Sequence, residues 1–287
     1  MATTSTEEIL NGLKELPPMP TSVHRIMELT RDPSASVQDI TKVISTDQAL
    51  TANVLRWCNS PFYGFAQKIS SVNQAVSLLG FSTISSMVIA TTVRSIYNRE
   101  LSGYGLGAGE LWKHSVACAL GSRILAVKKA PALKDIAFTA GLLHDIGKII
   151  LSNAVENSFA EIQGRVKREK LSFVRAEKES LGFDHTEIGE KAAERWLFPD
   201  PIREAIRFHH EPLQARDNKM LVSFVHVSNL ATSLMGFGLG CDGLLNPVTE
   251  DVLKSLSLEE KEFDIFCSDL VLSVSKIPEF QENQIGK

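Results

Sequence analysis

Several features that would announce a function class are scarce or missing in this chain. Four cysteines, Cys58, Cys118, Cys241 and Cys267, are scattered through 287 residues with no CxxC pair. That argues against a zinc ribbon and a disulfide framework, and makes a reducing cytoplasm the expected compartment. No apolar run approaches the ~20 residues of a spanning helix. The best candidate, Met220 to Gly240, contains His226 and Asn229 and reads as a buried helix. Met1 is followed by Ala-Thr-Thr-Ser-Thr, with no basic region and no apolar stretch, so no secretory signal is expected. The net charge is −4 and no basic stripe appears, so neither a nucleic-acid partner nor a membrane contact is expected. Neither GxSxG nor GxxxxGK[ST] occurs, and no cysteine has a local histidine partner. Strand-like alternation is scarce, and there is no internal repeat.

Helical periodicity is what remains, and it fills the chain. Ser45 and Gln48 are spaced as a capping box, with Leu50, Val54, Trp57 and Cys58 following on one stripe until Asn59-Ser60-Pro61 stops the helix. Ser71 and Gln74 suggest a second box, with Gly80 as its C-cap, and a further helix is expected over 82–97. The segment Leu101 to Gly109 holds four glycines in nine residues and is the expected linker. Beyond it, helices are expected at roughly 111–129, 133–155, 157–179, 185–197, 201–210 and 219–236. Asp184 with Glu187 is spaced as a capping box, and Asp200-Pro201 as an N-cap with proline behind it. Asp39, Asp47, Glu187 and Glu190 read as solvated caps or faces. The tail from Pro247 is expected to add one or two helices. The fold class is all-α, divided as 1–105, 106–245 and a tail 246–287.

Histidine carries the chemical signal. His114, His144, His185, His209 and His210 each fall on or at the end of an expected helix, and His144 is joined to Asp145. Side chains from several helices of a bundle can converge on one metal. Imidazole with carboxylate suits Zn, Fe or Mn, as one or two ions. Adjacent positions on one helix are ~100° apart, so His144 and Asp145 can both reach an ion between them. Ala137, Ala140, Gly141 and Gly147 are small, leaving space for an ion or a close helix. Lys148, one turn on, can neutralise a phosphate if the chain is a hydrolase. Blander readings stand beside these. His24 and His226 taken singly read as satisfied core or surface histidines, His209-His210 as helix-end cations, and His144-Asp145 as a self-neutralising buried pair.

His114 followed by His144-Asp145 resembles the opening of the H…HD…D signature of HD-domain metal-dependent phosphohydrolases. His185 and His209-His210-Glu211 resemble the HD-GYP branch, which hydrolyses cyclic di-GMP at a two- or three-metal centre. Three N-terminal segments shift the resemblance: "LPPMPTSVHRIMEL" from Leu16, "ISTDQALTANVLRWCNSPFYG" from Ile44 and "ISSVNQAVSLLGFSTI" from Ile69. They are similar to the HDOD domain, an HD-related output domain of bacterial signalling proteins, over about residues 7 to 240. That resemblance implies an N-terminal helical bundle packed on an HD-like bundle, and a regulatory module with a protein partner.

Two departures matter. Val227-Ser228-Asn229 places Asn229 where HD enzymes carry their last aspartate, and Pro212-Leu213-Gln214-Ala215 stands where the GYP loop would be. The expected ligand set is therefore His114, His144, Asp145, His185, His209 and His210, with Asn229 the weakest. The expected function is a non-catalytic signalling module. The alternative is a phosphohydrolase of a nucleotide or cyclic dinucleotide.

Overall fold

A computed structural model describes residues 19–156, 158–238, 240, 250–277 and 280. Cys241 and Pro247 lie outside these residues, as do Leu16 to Pro18. Every regular element among the described residues is helical, and the single β-bridge, Leu101 with Leu106, stands alone. The all-α expectation is borne out. The chain divides into two compact units. One runs from Met19 to Ile96 and takes up the chain again from Ser268; the described part of the other is Tyr97–Cys267.

The first unit opens with α1 (Thr21–Arg31), α2 (Val37–Ser45) and α3 (Gln48–Cys58). Ser36 and Asp39 close a reciprocal capping box on α2. Leu50, Val54, Trp57 and Cys58 of α3 are all buried, as their spacing requires. The cap of α3 is Asp47, whose carboxylate accepts from the Leu50 N–H at 3.0 Å. Ser45, the expected cap, instead ends α2. A carboxylate next to the first turn also meets the positive end of the helix, an advantage Ser45 lacks.

Asn59 then stops α3, and its side-chain amide exchanges two hydrogen bonds with the backbone of Ile69, 2.8 Å each way. Ser71 Oγ caps the Gln74 N–H at 3.2 Å, while the Gln74 side chain reaches the Ser70 N–H instead of closing the box on Ser71. The helical run α4 (Val72–Tyr97) is broken at Gly80, whose φ of 81° and ψ of 165° suit only glycine. The expected stop at Gly80 and restart near Ser82 are therefore observed.

In the second unit, Leu101–Gly109 is no exposed tether. Leu101, Tyr104 and Leu106 are buried around a single 3-10 turn, Ser102–Tyr104. Next come α5 (Glu110–Lys129), α6 (Lys134–Leu143), α7 (Ile146–Val155), α8 (Phe159–Glu169), α9 (Phe173–Leu181), α10 (His185–Arg195), α11 (Asp200–Phe208) and α12 (Lys219–Leu234). Two further helices follow, α13 (Glu250–Ser255) and α14 (Glu260–Val274), the latter running out of this unit. α5 is the axis, buried from Leu111 to Ala126 on most of its surface and packed chiefly on α6 and α12.

Three sequence expectations need correction here. The run 133–155 is two helices, parted at His144-Asp145, and 157–179 is also two, parted at Lys170, which adopts φ 54°. α11 begins at Asp200 itself, with Pro199 as the cap residue, so Pro201 is its second residue.

The small residues near His144 serve helix packing. A Cβ at Gly141 would lie 2.9 Å from Ala119 Cα and the Cys118 carbonyl on α5, and one at Gly147 would overlap the His185 carbonyl on α10.

Candidate metal centre

The break between α6 and α7 brings the central pair inward. His144 is the C-cap of α6 and Asp145 the N-cap of α7, with φ −101° and ψ 14°. On one unbroken helix their side chains would diverge; here both point into the same buried space and both are 0% exposed. His114 comes from the first turns of α5, His185 from the first residue of α10, His209 and His210 from the end of α11, and Asn229 from α12. All seven expected residues and Lys148 therefore meet in one place. His24 lies in the other unit, on α1.

Asp145 is the hub. Its Oδ2 lies 3.3 Å from His144 Nε2, 3.7 Å from His114 Nε2 and 2.6 Å from Lys148 Nζ. Its Oδ1 lies 3.4 Å from His185 Nε2 and 3.6 Å from His209 Nε2. His185 Nε2 and His210 Nε2 face each other at 3.2 Å. The side chains thus sort into two groups with ligand atoms mutually within 4.8 Å: His114, His144 and Asp145; and Asp145, His185, His209 and His210. One carboxylate belongs to both. Asn229 Oδ1 joins the first group, 2.9 Å from His114 Nε2.

Four of the histidines are held from behind. Nδ1–H of His114 donates to the Phe237 carbonyl at 3.0 Å, that of His144 to Gly141 at 2.7 Å and that of His209 to Ile206 at 2.8 Å. His185 donates its Nδ1–H to the Glu177 carboxylate at 2.7 Å. Such bonds fix each ring's tautomer and turn the Nε2 lone pair inward, the arrangement found behind metal-ligating histidines. His144 Nε2, His209 Nε2 and Asp145 Oδ1 are buried and make no hydrogen bond. Stranding polar atoms this way is costly unless something between them completes their bonding. A divalent cation is chemically suited to that role, so the residues fit a metal.

The supporting residues escaped the sequence reading. Carbonyls of Gly141, Ile206 and Phe237 carry no sequence signature. Glu177 does: it is a fully buried charge on the apolar stripe of α9, beside Phe173 and Ala176. Its other oxygen accepts a short hydrogen bond from the Tyr104 hydroxyl. His226, expected to be a plain core histidine, is buried and donates its Nδ1–H to the His209 carbonyl at 2.8 Å.

The protonation preferences split by position. Burial, reinforced by neighbouring histidines, holds His209 and His210 well below the usual histidine range, and burial also lowers His114 and His226. Burial acts against charge on His144 too, yet the Asp145 carboxylate outweighs it and raises His144 well above that range. Glu177 likewise overcomes burial to raise His185. Asp145 resists its own burial and stays well below the carboxylate range because His144 and Lys148 face it.

These opposite shifts predict a stability optimum for the metal-free protein. A lowered histidine leaves stability unchanged above the unfolded-chain value of about 6.5, and weakens it below, where only the unfolded state takes up the proton. A raised histidine is protonated in both states below about 6.5, and its stabilisation is lost as pH climbs through the folded value. Melting temperature should therefore peak near pH 6.5 and fall toward both roughly 5.5 and 8. A steady rise across that window would mean that His144 and His185 are not raised.

The HDOD domain family model matches residues 16–212. An HDOD domain protein of unknown function from Geobacter sulfurreducens has the same fold, with 26% identity, coverage of 93% of each chain and a TM-score of 0.75. A proposed phosphohydrolase from Shewanella amazonensis SB2B superposes with TM-score 0.66 at 23% identity, covering 94% of this chain and 100% of that one. A curated relative from Treponema pallidum (strain Nichols), itself uncharacterised, is 26% identical over 235 residues. That match takes in 77% of this chain, which spans only 43% of the relative. With the family model covering more than half its residues, the chain belongs to the HDOD domain family.

Proposed function

We propose that the chain is a regulatory module of bacterial signal transduction whose HD-type cage binds a divalent metal and which acts through a protein partner instead of turning over a substrate. The observation that carries this is Lys148. The residue is 4% exposed and its ammonium is ion-paired with Asp145 at 2.6 Å, facing into the cage. The charge that would receive a phosphate is thus engaged internally. The ligand residues His144, Asp145, His185 and His209 are themselves 0% exposed, and only His210 is partly open. Zn, Fe and Mn all suit an imidazole and carboxylate donor set. Bound there, such an ion would supply Lewis acidity toward a phosphoryl oxygen, or simply tie α6, α7, α10 and α11 together.

A phosphohydrolase is the second reading, favoured by His210, the ligand residue that is partly open and so within reach of a substrate. Its substrate would be a nucleotide rather than a cyclic dinucleotide, because a 3-10 turn, Pro212–Gln214, follows Glu211 where the GYP loop would stand.

Protein purified without chelator should contain metal and show no turnover of linear or cyclic nucleotides. Chelation should lower the melting temperature by about 5–10 °C, the size expected for removing a ligand present at roughly 100 times its Kd. Hydrolysis that is lost in His144→Ala would overturn the non-catalytic reading.

A further inference from the structure

We infer that the cage holds one ion, on Asp145 Oδ1 with His185, His209 and His210, and that Asn229 and Lys148 keep the His114–His144 position empty. This rests on the proposed metal-binding reading and narrows it to a position and a stoichiometry.

The two oxygens of Asp145 are not equivalent. Oδ2 carries the Lys148 ammonium at 2.6 Å, so a cation arriving beside it meets a positive charge already in place. Oδ1 accepts no hydrogen bond and looks toward His185 and His209 at 3.4 and 3.6 Å. Each position keeps one unpartnered nitrogen, His144 Nε2 in the first and His209 Nε2 in the second, so the distinction lies in their companions: His185 Nε2 and His210 Nε2, both ligands of the inferred ion, face each other at 3.2 Å, whereas His114 Nε2 is held by Asn229. His209 has its Nδ1–H fixed on the Ile206 carbonyl and its Nε2 buried without a partner. His114 also has its Nδ1–H fixed, on the Phe237 carbonyl, but its Nε2 sits 2.9 Å from the Asn229 amide. If that amide turns its NH2 inward, the lone pair of Nε2 accepts from it. If the ring is protonated, Nε2 donates to the amide oxygen. In both arrangements the lone pair is occupied.

Charge decides the same way. With neutral imidazoles, as ligation requires, the cage contains two carboxylates, Asp145 and Glu177, against one ammonium, Lys148. One dication leaves a buried net charge of about +1 and two leave about +3, and uncompensated charge in so closed a space is strongly unfavourable. An aspartate at 229 would offset part of it and would displace nothing else.

The test is metal stoichiometry. Metal-free full-length chain is loaded with Mn2+, and separately with Zn2+, freed of excess by gel filtration, and analysed by mass spectrometry for metal per chain. Electron paramagnetic resonance of the Mn2+ form distinguishes an isolated ion from a coupled pair. The expected result is one ion per chain with an isolated-ion spectrum, two ions and a coupled spectrum in Asn229→Asp, and none in His209→Ala. Circular dichroism checks each fold, and Lys148→Met is the second variant, also expected to admit a second ion.

Two ions in the unaltered chain, or one ion in folded Asn229→Asp and Lys148→Met alike, would overturn the inference while leaving metal binding intact. No ion at all would overturn both. One ion together with nucleotide hydrolysis would overturn only the non-catalytic reading.

Discussion

Gly147→Ala should destabilise the protein by about 3 kcal/mol or more and abolish metal binding at the same time. The added methyl would overlap the His185 carbonyl and sit 2.8 Å from the Gly189 nitrogen. Both are backbone atoms of α10, so no side chain can swing aside. α7 and α10 must move apart to admit it, and His185 leaves Asp145 with them. Thermal unfolding and metal content, measured on the same preparation, check the two halves of this expectation.

Gly164→Ala is the control. Its methyl would meet only the tip of Arg168, a flexible side chain, and helix-interior alanine is favoured over glycine by roughly 0.5–1 kcal/mol. If Gly147→Ala were as mild as Gly164→Ala, the close contact of α7 with α10 would be wrong.

Glu177→Ala is expected to cost about 3–5 kcal/mol. The carboxylate takes the His185 backbone N–H at 3.1 Å and its Nδ1–H at 2.7 Å, all in fully buried surroundings. Each donor that loses its acceptor in such a place contributes about 1–3 kcal/mol, and the vacated volume adds to it. Glu177→Gln separates fold from function. It keeps the shape but replaces a charged acceptor, so His185 loses the influence that raises its pKa and becomes a less basic ligand. Metal affinity should drop by about 10–100-fold with the fold retained, the usual effect of altering a histidine's outer partner. Calorimetric titration with Zn2+ gives the number. Unchanged affinity in Glu177→Gln would mean that the carboxylate serves packing alone.

Much of the molecule could be read from spacing. The stripe Leu50, Val54, Trp57 and Cys58, the Asp184–Glu187 capping box and the Gly80 break follow from local rules, and all are present. The split at His144-Asp145 does not, because no proline marks it and the apolar run continues on both sides. What breaks the helix is tertiary: α7 must turn to pack Gly147 on α10. Lys170 in a left-handed conformation is similarly silent in the sequence. The ligand residues were legible because imidazole and carboxylate are rare in apolar runs. Their supports were not, since three of four are peptide carbonyls whose role depends on where a helix happens to end. Glu177 was within reach, as a charge on an otherwise apolar face.

α12 also has a mechanical side. His226 holds the backbone of His209 and, three residues on, Asn229 touches His114, while Phe237 just beyond the helix takes the other side of the His114 ring. One stiff rod is thereby fastened to a histidine from each ligand group. The His209 backbone cannot shift, nor the His114 ring tilt, without pulling on the rod that restrains the other. Its ends, at Met220 and Leu234, are among the exposed large apolar side chains of this unit, 47% and 61% open. A strain gauge is built this way, with the filament anchored across the gap and its terminals left outside.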